Sequence, residues 1–176
     1  MTDYTVAIQT GFIYGLVFSL LFSALLLIMV KISPEMMLND YPPDIKAKYG
    51  LASEETKRKR KPFILVFFLI VIGVPLLSIL SLDRALAGTP TFLYIFIELF
   101  VLFFVFNLVD LLILDWLIFC TITPGFMVLP GTEGMAGYKD YGFHFRGFLI
   151  GCVVCLVSAL VFAGIAALLY YITGLV

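Results

Sequence analysis

Four apolar stretches, at about 8–30, 63–81, 92–120 and 148–174, dominate the 176-residue chain. A helix needs roughly 20 residues to cross a ~30 Å hydrocarbon core, and each stretch is about that long or longer. A water-soluble domain of this length has too little interior to hide them, because 62% of the residues are hydrophobic and the mean hydropathy is +1.12. The expected fold class is therefore an all-α integral membrane protein with four transmembrane helices, a single membrane domain over 1–176. Gly73 and Pro75 predict a bend in the second span. The third, about 28 residues at ~1.5 Å each, exceeds the core and must tilt or protrude. The opening MTDYTVAIQT carries Asp3 and no Lys or Arg, so no cleavable signal peptide is expected.

Charge orients the spans. Between the first and second lie Lys31, Lys46, Lys48, Lys57, Arg58, Lys59, Arg60 and Lys61; the short loop 82–91 has only Arg84, and the next has Lys139 and Arg146. Basic residues collect on the cytoplasmic side. The expectation is a multi-pass protein of the cell membrane, N-out and C-out, with loops 31–62 and 121–147 cytoplasmic and 82–91 outside. The run Lys57, Arg58, Lys59, Arg60, Lys61 either pins this topology or attracts anionic headgroups of membrane lipids, each cation adding roughly 1 kcal/mol near the surface. No nucleic-acid partner is expected. In the first loop, Asp44–Tyr49 and Ser53–Arg60 have the pattern of short amphipathic helices.

LIMVKISPEMM (27–37) is echoed 90 positions later by LIFCTITPGFM (117–127), and Lys48-Tyr49-Gly50 by Asp140-Tyr141-Gly142. Two readings stand. Either the chain holds two duplicated helical hairpins related by a pseudo-twofold axis along the membrane normal, or apolar helices that end before a proline look alike by chance. At the 90-residue spacing, Leu20 and Leu25 match Asp110 and Asp115, so the acids belong to one half only.

Those acids are the chemical signal. A carboxylate deep in a span costs roughly 2.5–3.5 kcal/mol on insertion scales, yet the third span carries Glu98, Asn107, Asp110 and Asp115. At 100° per residue, Asp110 and Asp115 fall about 140° apart on either side of Asn107, and Glu98 falls opposite. Asn107, Asp110 and Asp115 are the candidate intramembrane polar site. It suits proton or cation handling, a counter-charge for a cationic ligand, or acid–base work; the alternative is interhelical hydrogen bonding. Loop 123–147 adds a second group, because GFMVLPG is too apolar for a solvated linker and YKDYGFHFR alternates aromatic and polar residues. Tyr138, Lys139, Asp140, the lone histidine His144 and Arg146 are the candidate cytoplasmic-mouth site, against an interfacial aromatic belt with flanking charges.

Cys152-Val153-Val154-Cys155 has redox spacing but lies inside a span, where cysteine is an ordinary small packing residue. With Cys120 and Asp115 or His144 a soft-metal site is conceivable, but no metal and no cofactor is expected. Gly11 and Gly15 form a GxxxG that permits close helix approach, either within the chain or at a dimer seam. There is no phosphate-binding Walker loop, HExxH or GxSxG, and no extramembrane segment is long enough for a catalytic domain. The leading functional expectation is transport, the ion- or proton-coupled handling of a small solute by an oligomer, as a homodimer or with a partner membrane subunit. The alternatives are a membrane-embedded enzyme acting on a lipid or isoprenoid at the inner leaflet, and an accessory subunit of a larger complex.

Overall fold

Each of the four long helices begins after a side chain that takes one of its unpaired N–H groups. Thr2 accepts from Thr5, Ser53 from Thr56, Thr91 from Tyr94 and Asp140 from Phe143. These caps fix the starts of α1 (Asp3–Ile32), α3 (Glu54–Ala85), α4 (Phe92–Val109) and α5 (Tyr141–Thr173) in a computed structural model that describes residues 2–88 and 90–173. A short α2 (Pro43–Tyr49) and three 3₁₀ turns fill the two long loops, and no strand occurs among the described residues. The spans Asp3–Ile32, Glu54–Ala85, Phe92–Ile122 and Tyr141–Ile172 are long and apolar enough to cross a membrane.

Three spans start earlier than hydropathy alone suggests, at Asp3, Glu54 and Tyr141. The second begins at Glu54 because Ser53 caps it and Lys57–Glu54 and Lys59–Glu55 pairs (both 2.7 Å) staple its polar first turns. The segment Ser53–Arg60 is thus no separate amphipathic helix but the start of α3, whereas α2 coincides with the other expected segment. Pro62 and Pro75 both lie inside α3.

The α1–α4 pair forms the centre, with α3 packed on α1 and α5 on α4. Gly11 and Gly15 make the central seam close: a Cβ at either would strike α4 backbone carbonyls and the side chains of Val101 or Val105. Around the seam Ala7, Phe18, Leu99, Leu102, Phe103 and Ala159 form the main core. At the far end, near the start of α1 and the end of α5, Tyr170 of α5 hydrogen-bonds Asp83 of α3.

The two long loops fold onto each other at the opposite end. Their own core holds Val30, Tyr41, Ile45, Phe119, Leu129 and Tyr138. Tyr41 Oη donates to the Met127 carbonyl (2.7 Å), and the Gly137 N–H donates to Asp44 Oδ2 (3.0 Å). Glu35 accepts from Tyr49 Oη and from the Ser53 N–H (3.0 Å) and Oγ (2.7 Å), which tethers α2 to the start of α3. These bonds hold Glu35 down to a pKa of about 2, the Tyr49 hydroxyl foremost, while desolvation first and then the bond to Glu35 raise Tyr49 to about 12. Where this loop layer meets the bundle, a cleft opens among α1, α3, α4 and α5.

Candidate functional site

Past Val109 the third span changes its winding. Asp110–Ile122 is a π-helix, with i→i−5 bonding visible at its end as Thr123 N–H to the Ile118 carbonyl (2.8 Å). Most π-helical turns are single; this run is 13 residues long. The consequence for the acids is direct. In an α-helix Asp110 and Asp115 diverge by about 140°; with i→i+5 bonding, residues five apart stack about one turn apart on one face. The helical-wheel expectation is corrected accordingly, and both acids open into the same cavity.

That cavity has a volume of about 900 Å³ and collects titratable groups from four separate elements. Asp110 and Asp115 come from the π segment, His144 from α5, Arg60 from α3, and Asp40 from the 3₁₀ turn Pro34–Asp40. His144 is 6% exposed, and its Nδ1 lies 3.0 Å from Asp115 Oδ1. Its Nε2 is buried and unpartnered among the described residues. The carboxylate thus fixes the imidazole and leaves its second nitrogen for other work. Asp40 is exposed where it lines the cavity; desolvation first, then the Asp115 carboxylate, raise its pKa, while Lys46 and Arg60 pull it down. Asp110 has neither a hydrogen bond nor an ion pair among the described residues, and its charged neighbours are Asp115, Asp40 and His144.

The remaining walls are apolar. Eight phenylalanines line the space, from Phe22 on α1 to Phe148 on α5. Ile64 and Phe68 of α3 line it too while about half exposed on the outer surface, 49% and 52%. The cleft therefore has a side open between helices where a bilayer would lie.

Comparison with known proteins adds nothing to this geometry. No protein-family model, no curated protein and no solved structure matches the chain.

The other residues singled out in the sequence have structural employment. Asn107 faces the cavity edge but donates to the Phe148 carbonyl (3.1 Å) and Cys152 Sγ (3.5 Å), joining α4 to α5 at Gly151, where a Cβ would strike its side chain. Tyr138 Oη accepts the Leu129 N–H (2.9 Å) and bonds Thr132 Oγ1 (2.7 Å), inside the loop layer. Lys139 Nζ reaches the Cys120 and Thr121 carbonyls and Thr123 Oγ1, capping the π segment. Asp140 caps α5, and Arg146, 68% exposed, lies 3.9 Å from it. Of the five mouth residues only His144 lines the cavity.

Glu98 is fully buried in the opposite half of the bundle, where Ser78 Oγ donates to it. Cys120, Cys152 and Cys155 are free thiols, and among the described residues no three metal-capable side chains converge. Asp40 and Arg60 were not anticipated: each sits in a polar stretch where another charge raises no alarm.

Proposed function

We propose that the chain is the unit of a proton-linked carrier, which binds a small solute in the cavity at its loop end. The carrying observation is the convergence of Asp40, Asp110, Asp115 and His144 on one apolar-walled space. Carboxylates and an imidazole held in such surroundings take up and release protons as a neighbouring charge arrives or leaves. The opposite half, closed by Leu99, Leu102 and Phe18 (all at most 3% exposed), supports reading this arrangement as open to one side only.

In this reading the loop end is cytoplasmic and both termini lie outside, as the basic residues of loop 31–62 favour. The working form is an oligomer, because four helices alone seldom enclose a path across a membrane. Anionic lipid headgroups are the partners of the run 57–61. Duplication draws support from the two Pro-led 3₁₀ turns, at Pro34 and after Pro124, that follow the first and third spans.

The test uses proteoliposomes loaded with a pH-sensitive dye, a preset pH gradient, and a panel of small cationic, anionic and neutral solutes. At least one class should collapse the gradient faster than in empty liposomes, and Asp110→Asn should remove that effect while retaining the wild-type elution profile. No solute-dependent collapse across the panel sinks the carrier reading.

The Asp115–His144 pair favours a second reading, an enzyme acting on an amphiphile with His144 as general base oriented by the carboxylate. It requires His144→Ala to change a lipid product of cells overexpressing the protein; unaltered lipid profiles would count against it.

A further inference from the structure

The three acids of the cavity differ in what meets them. Asp115 is matched by His144 at 3.0 Å, and Asp40 has Arg60 and Lys46 as charged neighbours. Asp110 has neither a hydrogen bond nor an ion pair among the described residues, and no Lys or Arg is among its charged neighbours. The ionisable groups that face it are Asp40 from the 3₁₀ turn, Arg60 from α3, Asp115 from its own segment and His144 from α5; α1 contributes Phe22, Leu25 and Met29, none of which titrates. A carboxylate left without a Lys or Arg beside it calls for a positive charge from a ligand.

The walls narrow the nature of that charge. An inorganic cation wants several oxygen ligands at short range, and no three metal-capable side chains converge among the described residues. Aromatic faces, by contrast, attract organic cations, and here eight phenylalanines line the same cavity as the acid. About 900 Å³ is also the size of a site for a drug-sized organic molecule. The flank of Ile64 and Phe68 offers a hydrophobic solute an approach from the bilayer. His144, more than nine-tenths buried with Nε2 unpartnered, adds an acceptor for a ligand N–H.

We propose that the cavity binds a hydrophobic organic monocation, an ammonium or phosphonium carrying apolar groups, in exchange for the proton on Asp110. This rests on the carrier reading and names its substrate class. The exchange is balanced: one cation enters, one proton leaves the carboxyl for the solvent, and the net charge of the site is unchanged. Arg60, the fixed cation of the cavity, opposes the ligand and sets how weakly it is held.

Tetraphenylphosphonium is the probe, and tetraphenylborate, of nearly the same size and opposite charge, is the control. Binding to the purified full chain in nanodiscs is followed by the fluorescence of Trp116, the only tryptophan, beside Asp115. Proton release is followed by calorimetry in buffers of differing ionisation enthalpy. The phosphonium should bind saturably, release up to one proton each and bind up to tenfold more weakly per unit fall in pH once Asp110 is protonated. The borate should not bind specifically.

Asp110→Asn should weaken binding at least tenfold and abolish proton release. Arg60→Gln, a change at an exposed position that spares the core, should tighten binding several-fold. Equal binding of phosphonium by wild type and Asp110→Asn, weaker binding by Arg60→Gln, or preference for the borate overturns the assignment. Phosphonium binding without gradient collapse in proteoliposomes would instead overturn the carrier reading alone. Gradient collapse by anionic or neutral solutes only, with no phosphonium binding, would leave the carrier and remove the cation.

Discussion

Replacing Gly11 by Ala tests the central seam on which every wall of the cavity depends. A methyl there would strike the Glu98 carbonyl oxygen and stand only 3.0 Å from Val101 Cβ and 3.1 Å from the Glu98 carbonyl carbon. Backbone atoms cannot rotate aside, so α1 and α4 must part. A gap of 0.5–1 Å forfeits a quarter to a half of each ~0.1–0.2 kcal/mol contact. If about 20–30 atom pairs bridge the seam near Gly11, the loss is about 1–2 kcal/mol, within the usual range for overpacking. No hydrophobic force within lipid offsets it.

The control is Gly164→Ala on α5, where a Cβ meets nothing within 4 Å. Both variants share the helix-propensity gain of Ala over Gly, up to ~1 kcal/mol. The difference between them therefore isolates the seam and should be about 1–3 kcal/mol in reversible unfolding from mixed micelles. Gly11→Ala matching Gly164→Ala to within about 0.5 kcal/mol would falsify the close α1–α4 approach.

Two further outcomes concern the loop layer. Glu35 has a folded pKa of about 2 against an ordinary 4.5, so its anion stabilises the layer above pH 4.5 and that contribution disappears as the pH falls toward 2. Hydrogen exchange over residues 33–53 should speed up across that window, and Glu35→Gln should flatten the response; an unchanged pH profile in the variant counts against the tether. Tyr138→Phe leaves the buried Leu129 N–H without its acceptor and should cost about 1–3 kcal/mol. Protease cutting within 124–140 would report that loss, and wild-type resistance would contradict it.

Hydropathy made the four spans legible because burial in lipid demands apolar residues over their whole length. It placed the second start late, at 63 rather than 54, because the polar turns Glu54–Lys61 are held by caps and ion pairs, which no hydropathy window registers. Asp110 and Asp115 stood out for the same reason the spans did: charge is rare where they lie. Their mutual direction was not legible, since nothing in DLLILDWLIFCTI announces i→i+5 bonding. Asp40 stayed hidden in a loop where charge is ordinary, and Arg60 in a basic run read only for topology and lipid. Tyr138, Lys139, Asp140 and Arg146 sit at the expected end of the bundle, but their nearest partners are backbone groups and one another. Proximity in sequence to a site does not decide which atoms a side chain meets.

The π segment stores its information in a count rather than in residue types. Removing one residue between Asp110 and Asp115 would leave four steps, which suits an α-helix as well as five steps suit a π-helix. The two acids would still share a face, so the deletion would look silent on the helix itself. Were the wide winding kept instead, everything beyond the deletion would turn by about a quarter-turn, carrying Phe119 and Cys120 out of the loop core and detaching the carbonyls that Lys139 holds. Substitutions along this stretch are thus local events, whereas a change of length by a single codon is a global one.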